Sequence, residues 1–301
     1  MKIFSDDFQK IKLDVILNGI EKDGFFFCKN AINNDLINQI ELDVSKNRFS
    51  INKNWISGVY TKNQYFLTNI LGCSKSFFDL VTEKKVFEIC DEYMKGSDYR
   101  LKAVRYYETY GRHKMLWHTD NKVDRKFQEI PGLIFIAYMS DVNDGEFQYI
   151  KNSHKFSVET KVNNYDNEFI NKNFSENVVS FPGSKGDLII YNTYGIHRAK
   201  PIQKNKNFVR KSLFFQIDNG KEHGEPILLN TSFLTNIDKR ISNFLGFGSN
   251  PDSKLYPNTD IQTLPIKHII NRSLLKLVLR SLISTIVPNF LKKIIKNKIN
   301  K

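Results

Sequence analysis

Long hydrophobic runs are missing from these 301 residues. No stretch of about 18 uncharged apolar residues occurs, so no segment is expected to cross a bilayer as a helix. Cysteine is scarce: Cys28, Cys73 and Cys90 are the three, without metal-like spacing. An odd, sparse set argues against a disulfide framework and a thiolate metal site. The first ten residues carry Asp6 and Asp7 and lack the apolar centre of a secretory signal. These features together lead us to expect a cytoplasmic protein. Acidic residues are absent from 261–301, where nine Lys or Arg fall. Removing those nine from the net charge of +13 leaves +4 for residues 1–260. So small an excess on the main body argues against nucleic acid as a partner.

What is present points to a folded, strand-rich core. Apolar residues make up 41% of the chain, with 24 Phe and 13 Tyr; this composition excludes wholesale disorder and favours strands. Residues 24–28 (Gly-Phe-Phe-Phe-Cys) read as a buried strand. Asn33, Asn34 and Asp35 can cap a following helix with Leu36, Ile37, Ile40 and Leu42 on its apolar side. Residues 77–94 read as one helix. From position 99 the pattern turns to strands: 101–109, an almost continuous apolar run at 131–139, 146–150 after an Asp144-Gly145 turn, 178–181, 188–191 and 208–217. Residues 46–75 show only weak periodicity. Helices followed by many strands imply an α+β domain built around a β-sandwich or barrel.

Three signals within this frame carry chemistry. His118-Thr119-Asp120, if extended, sends an imidazole and a carboxylate to the same side. That supplies two thirds of the two-histidine, one-carboxylate facial triad that suits iron(II) and leaves positions for a co-substrate and oxygen. A His-x-Asp also occurs by chance on surfaces, so alone it decides little. His197 follows the turn Gly186-Asp187 and the apolar strand 188–191, where a rigid barrel end could hold it. Arg210 comes 13 residues later and opens another apolar strand, sharing one face with Ser212, Phe214 and Gln216. A buried guanidinium needs an anion, and an arginine beside a hydroxyl suits a carboxylate. A structural ion pair would satisfy the same arginine.

In order and spacing these pieces resemble the phytanoyl-CoA dioxygenase-like branch of the iron(II)/2-oxoglutarate-dependent oxygenases. The resemblance spans roughly residues 24–217, strongest from Ala103. Gly24-Phe25-Phe26-Phe27 and the capped helix resemble the family's entry strand and helix. Trp117-His118-Thr119-Asp120 matches its His-x-Asp. Gly186-Asp187-Leu188 through His197 matches the strand bearing the distal histidine, and Arg210-x-Ser212 matches the 2-oxoglutarate clamp. The loop Asn152-Ser153-His154-Lys155 resembles the family's Pro-Gly-Ser-His loop but lacks its Pro-Gly. The resemblance implies a double-stranded β-helix, a jelly-roll or cupin-like barrel flanked by helices. It implies iron(II) held by His118, Asp120 and His197, with O2 as oxidant and 2-oxoglutarate as co-substrate held by Arg210 and Ser212. His154 is not a ligand in that pattern, and His113 reads as a surface residue. Arg105 and Tyr107 share one face of the strand before the His-x-Asp, Val104 and Tyr106 the other. The sequence leaves open which face meets the cavity; the resemblance places Arg105 and Tyr107 against 2-oxoglutarate or substrate. Trp117 reads as core. Asp120 favours hydroxylation over halogenation, because the related halogenases carry a small residue there. The substrate is expected to be a small molecule, a lipid or a lipid-linked glycan.

The dioxygenase domain is expected over 1–265, with its core at 99–218, and a separate tail over 266–301. In that tail Leu274, Leu275, Val278, Leu282, Ile283 and Ile286, then Phe290, Leu291, Ile294 and Ile295, recur at helical spacing among the basic residues, with Pro288 as a break. A basic amphipathic helix of this kind fits an anionic membrane surface over 268–301, or packs on the domain with its charged end solvated.

Overall fold

A computed structural model describes residues 1–47, 59–60, 63–111, 115–120, 130–156, 164–203, 208–219, 227–235, 238–247, 278–279 and 281–282. The chain divides into two compact units, Met1–Asp252 and Ser253–Lys301. The first contains all the strands of the described residues. In the second, residues 278–279 and 281–282 are helical with Val278, Leu279 and Leu282 exposed; the rest of the expected tail lies outside the described residues. Among the described residues no helix is long and apolar enough to cross a membrane.

Two antiparallel sheets form the centre. Their strands are β1 (Phe25–Cys28), β2 (Val59–Tyr60), β3 (Gln64–Leu67), β4 (Tyr99–Tyr110), β5 (Trp117–His118), β6 (Leu133–Tyr138), β7 (Val142–Ile150), β8 (Asn164–Tyr165), β9 (Val178–Gly183), β10 (Leu188–Asn192), β11 (His197–Ala199) and β12 (Val209–Asn219). The larger sheet runs β1-β10-β6-β12-β4-β3-β2 and the smaller β8-β5-β11-β7-β9. This is a jelly roll, as expected. Helices flank it: α1 (Asp6–Lys10), α2 (Leu13–Asp23), α3 (Asn34–Asn47), α4 (Lys75–Val81), α5 (Lys84–Met94), α6 (Asn167–Phe174) and α7 (Lys239–Phe244).

The larger sheet is covered on both faces, which explains its apolar runs. Leu133, Phe135 and Ala137 of β6 join Leu213, Phe215 and Ile217 of β12 in a core shared with the buried residues of α2, α3, α4 and α5. The alternate residues Ile134 and Tyr138 turn the other way, into a second core with Phe147, Tyr149, Phe181 and Tyr191 between the sheets. Trp117 packs with Ile150, Tyr165, Ile170 and Ile196 in a third; its core reading holds.

Several local expectations need correction. The helix expected over 77–94 is two helices: α4 stops at Val81, and Glu83 starts α5 by accepting from the Lys85 amide. Leu42 is 51% exposed, and Val44 takes the buried position on α3. Asp144-Gly145 is not a hairpin turn. It sits inside β7, where the register against β9 shifts between Val142 and Phe147. Gly145 adopts φ +69° there, and a Cβ would approach Ile202 Cγ1 to 2.4 Å, so a bulge glycine is required. The 24–28 strand is an edge strand, half-buried. Residues 46–75 include β2 and β3, which extend the sheet beyond β4.

Asp187 ties the turn before β10 to the chain after β1. Its two oxygens accept from the Asn30 and Ser184 amides, each at 2.8 Å, and the residue is buried. Asp187→Ala leaves both donors without their acceptor and is expected to cost about 2–4 kcal/mol. Denaturant unfolding measures this; a loss below about 0.5 kcal/mol, typical of a neutral surface change, contradicts it.

Candidate metal centre

The pairing of β5 with β11 sets His118 directly opposite His197. Their ring centroids are 4.5 Å apart. Each ring is also strapped by its Nδ1: His118 to the Leu116 carbonyl at 2.8 Å and His197 to the Gly195 carbonyl at 3.0 Å. A carbonyl only accepts, so Nδ1 carries the proton in both rings and Nε2 presents a lone pair. Asp120 follows β5, its amide reaching the Thr193 carbonyl at 3.3 Å. Its carboxylate lies 3.0 Å from His197 Nε2 and 3.7 Å from His118 Nε2. One ligand atom from each of the three falls within 4.8 Å of the others, the one such cluster among the described residues.

The electrostatics favour the metal-binding protonation states. Burial and the neighbouring His197 lower the His118 pKa against the opposing pull of Asp120, so the neutral imidazole is preferred. Burial pushes the Asp120 carboxyl up; His197 and His118, when protonated, and the Tyr191 hydroxyl outweigh it and take it down to about 2, a role a bound divalent cation would take over with the rings neutral. Two neutral imidazole nitrogens and one carboxylate oxygen make a donor set suited to a divalent transition metal.

These groups line a cavity of about 400 Å³. Arg210, Ser212, Phe214 and Gln216 all face it from β12, as the alternation predicts. The face of β4 left open by sequence is settled: Arg105 and Tyr107 line the cavity, while Val104 and Tyr106 join the core beneath the helices. Ser212 stands opposite Tyr107 in the β12–β4 register, and Phe214 opposite Arg105. The Arg105 guanidinium lies 5.3 Å from the Phe214 ring centroid.

Arg210 is buried and hydrogen-bonds the Gly145 carbonyl and, at 3.2 Å, Thr109 Oγ1. Burial pulls its pKa below the ordinary guanidinium value while Tyr138, Glu146 and Tyr107 oppose the shift. It makes no ion pair with a carboxylate of the described residues; Glu146 pairs with Lys200 instead, at 2.8 Å. The structural ion pair considered for this arginine is therefore absent among them. A buried cation on a cavity wall needs a bound anion. His154 stands apart, its Nε2 3.0 Å from the Glu21 carbonyl, and His113 lies outside the described residues.

Sequence reasoning missed Tyr191, whose hydroxyl reaches Asp120 Oδ2 at 3.0 Å and His197 Nε2 at 3.3 Å. It also missed Thr109 and Gly145, the two groups that hold Arg210. Alternation from Ile189 would have turned Tyr191 inward, but nothing in the sequence links a β10 hydroxyl to the histidine of β5.

No family model matches the chain, and no curated protein matches it in sequence. Solved structures match its fold. SnoK from nogalamycin biosynthesis, a non-heme alpha-ketoglutarate-dependent carbocyclase, superposes with a TM-score of 0.57 at 12% identity, over 77% of this chain and 92% of its own. HygX from Streptomyces hygroscopicus, with nickel and 2-oxoglutarate bound, gives 0.52 at 12% identity over 68% of this chain and 86% of its own. A further HygX structure, which also holds hygromycin B, gives 0.52 at 13% identity with the same coverage. This chain has the fold of SnoK and HygX. In that shared fold, the His118, Asp120 and His197 cluster and Arg210 occupy one cavity of this chain.

Gly195 supports His197 through its carbonyl and leaves no room for a side chain. A Cβ there would fall 1.6 Å from the Tyr149 hydroxyl and 1.9 Å from its Cζ, a fully buried ring. Gly195→Ala is expected to lower stability by about 1–3 kcal/mol through overpacking and to weaken divalent-metal binding. Unfolding and cobalt(II) titration measure the two effects; unchanged values contradict the assigned role.

Proposed function

We propose that this protein is an iron(II)- and 2-oxoglutarate-dependent dioxygenase that hydroxylates an unactivated C–H bond, releasing succinate and CO2. One observation carries the reading: two imidazole Nε2 atoms and a carboxylate face one point of a cavity whose wall also holds a buried guanidinium. The nickel and 2-oxoglutarate bound by HygX support it, nickel being a divalent stand-in for iron(II). His118, Asp120 and His197 would hold the metal. Arg210 would bind the distal carboxylate of 2-oxoglutarate, with the Ser212 and Tyr107 hydroxyls beside it and Arg105 on the adjoining wall. When bound, iron(II) with 2-oxoglutarate supplies the oxidation of a C–H bond by O2.

The protein's own contribution is placement. The Nδ1 straps fix which nitrogens face the metal. Phe147, Tyr149 and Tyr191 crowd His197, with ring centroids at 5.5, 6.4 and 4.7 Å, and shield it from water. Asp120 supplies a third protein ligand, which favours hydroxylation over halide transfer. Within the fold, the His-x-Asp at 118–120, the distal His197 and the Arg210-x-Ser212 pair support a place in the phytanoyl-CoA dioxygenase-like branch.

The substrate we favour is a small molecule, a lipid or a lipid-linked glycan; a small-molecule substrate is consistent with hygromycin B bound to HygX. The basic segment 268–301 would hold the protein on an anionic membrane on its cytoplasmic side. Its support is the nine basic and no acidic residues of 261–301, and the exposure of Val278, Leu279 and Leu282 at 47–48%.

The purified protein is expected to release succinate from 2-oxoglutarate in an iron(II)-dependent way, even without primary substrate. His118→Ala should lower that rate by at least about 100-fold, since losing an outer partner of a metal ligand alone costs about 10–100-fold. No succinate under any condition, or full activity in the variant, overturns the enzymatic reading in favour of a ligand-binding barrel. Deleting residues 266–301 should abolish sedimentation with anionic vesicles and leave succinate release intact. Unchanged vesicle binding overturns the membrane proposal.

A further inference from the structure

We propose that Tyr191 is the positioning residue for Asp120, completing a set in which every metal-binding side chain is oriented by one outer partner. The inference rests on the metal reading above and concerns a residue outside the triad and the keto-acid clamp. His118 and His197 each have a backbone carbonyl on Nδ1, and β5–β11 pairing fixes their backbones. Asp120 has its amide on the Thr193 carbonyl at 3.3 Å, but its carboxylate has no backbone strap of that kind among the described residues. It stands beyond the end of β5 and outside the strand register. Apart from the histidines themselves, the Tyr191 hydroxyl is the one group of the described residues that contacts its carboxylate, 3.0 Å from Oδ2.

Tyr191 is built to hold that oxygen. Its ring is about 1% exposed and is wedged between Phe147, Tyr149 and His197, with centroids at 4.9, 5.9 and 4.7 Å. Its backbone belongs to β10, paired on both sides: Tyr191 stands opposite Phe25 of β1 and Ile134 of β6. The hydroxyl therefore reaches from the larger sheet to ligands carried by the smaller one. Once a metal takes the His197 Nε2 lone pair, Asp120 is the acceptor left for the phenol proton. The hydrogen bond to Oδ2 is already made in this structure and is retained when the metal binds, so binding has less of the carboxylate to order. Outer partners of this kind typically change metal affinity by about 10–100-fold.

The test is cobalt(II) titration of the full chain, read by visible absorption, in a cycle of wild type, Tyr191→Phe, Asp120→Ala and the double variant. Tyr191→Phe should weaken cobalt binding by about 10–100-fold, while the same change in the Asp120→Ala background should cost nothing further, because its target is gone. A purely structural role would lower affinity equally in both backgrounds, and that result overturns the proposal. Equal affinity of wild type and Tyr191→Phe overturns it as well, with the metal reading intact. An intense visible charge-transfer band in ferric wild-type protein, absent from Tyr191→Phe, would make the phenolate itself a ligand and also overturn it. A wild type that binds no cobalt fails at the earlier step and removes both the metal reading and this inference.

Discussion

The site depends on one strand pairing. β5 is two residues long, and its pairing with β11 places His118 opposite His197. Directly opposed residues in an antiparallel pair have Cα atoms about 4.5–5.5 Å apart, close enough for two imidazoles to share an ion. So short a strand has little pairing of its own. It is held because β8 closes its other edge and Trp117 is buried in the core beside it. The Arg198 guanidinium lies 4.3 Å from the Trp117 ring centroid and packs the neighbouring position of β11 against it. The polar cluster is thus placed by apolar packing on either side of it.

The second constraint is the two-sided larger sheet. Its helix-covered face is apolar at Leu133, Phe135 and Ala137 of β6, Leu188 and Ile190 of β10 and Leu213, Phe215 and Ile217 of β12, which fixes register, because a one-residue slip would bury the polar face beneath the helices. The opposite face can therefore carry Arg210, Ser212 and Tyr191 without losing its place. Arg210 is the costly member. Its burial is offset by a bulge carbonyl from the other sheet and a hydroxyl from the adjacent strand, leaving part of the guanidinium's bonding capacity for a ligand. Hydrogen bonds join the two sheets at several places, among them Arg210 on Gly145, Tyr191 on Asp120 and His197, Tyr138 on the Phe181 carbonyl and Tyr149 on the Asn192 carbonyl.

What the sequence made legible follows strand alternation. Arg210, Ser212, Phe214 and Gln216 line the cavity because residues two apart on a strand face alike; His118 and Asp120 were readable from their spacing, although the strand ends at His118 and Asp120 sits at the bend beyond it. The element pattern supplied a sandwich or barrel, and the jelly roll came from the family resemblance that the order and spacing of the motifs carried. Relations across strands were not legible. The face of β4 that meets the cavity depends on which side the helices cover. The Asp144-Gly145 pair looks like a turn locally, yet it is a bulge because β9 continues alongside β7. Tyr191 reads as one more aromatic in a buried strand until β5 and β11 are placed against it. The break between α4 and α5 was written in Glu83, whose side chain caps α5; a nearly continuous apolar pattern across the junction hid it.

If the three ligands and Arg210 form one site, metal and keto acid must bind cooperatively, because the keto acid would touch both at once. Calorimetric titration of 2-oxoglutarate into manganese(II)-loaded and metal-free protein measures that coupling directly. The account predicts binding roughly tenfold or more tighter with the metal present. The same affinity in both forms would contradict it, since the guanidinium and the metal cluster would then belong to separate sites.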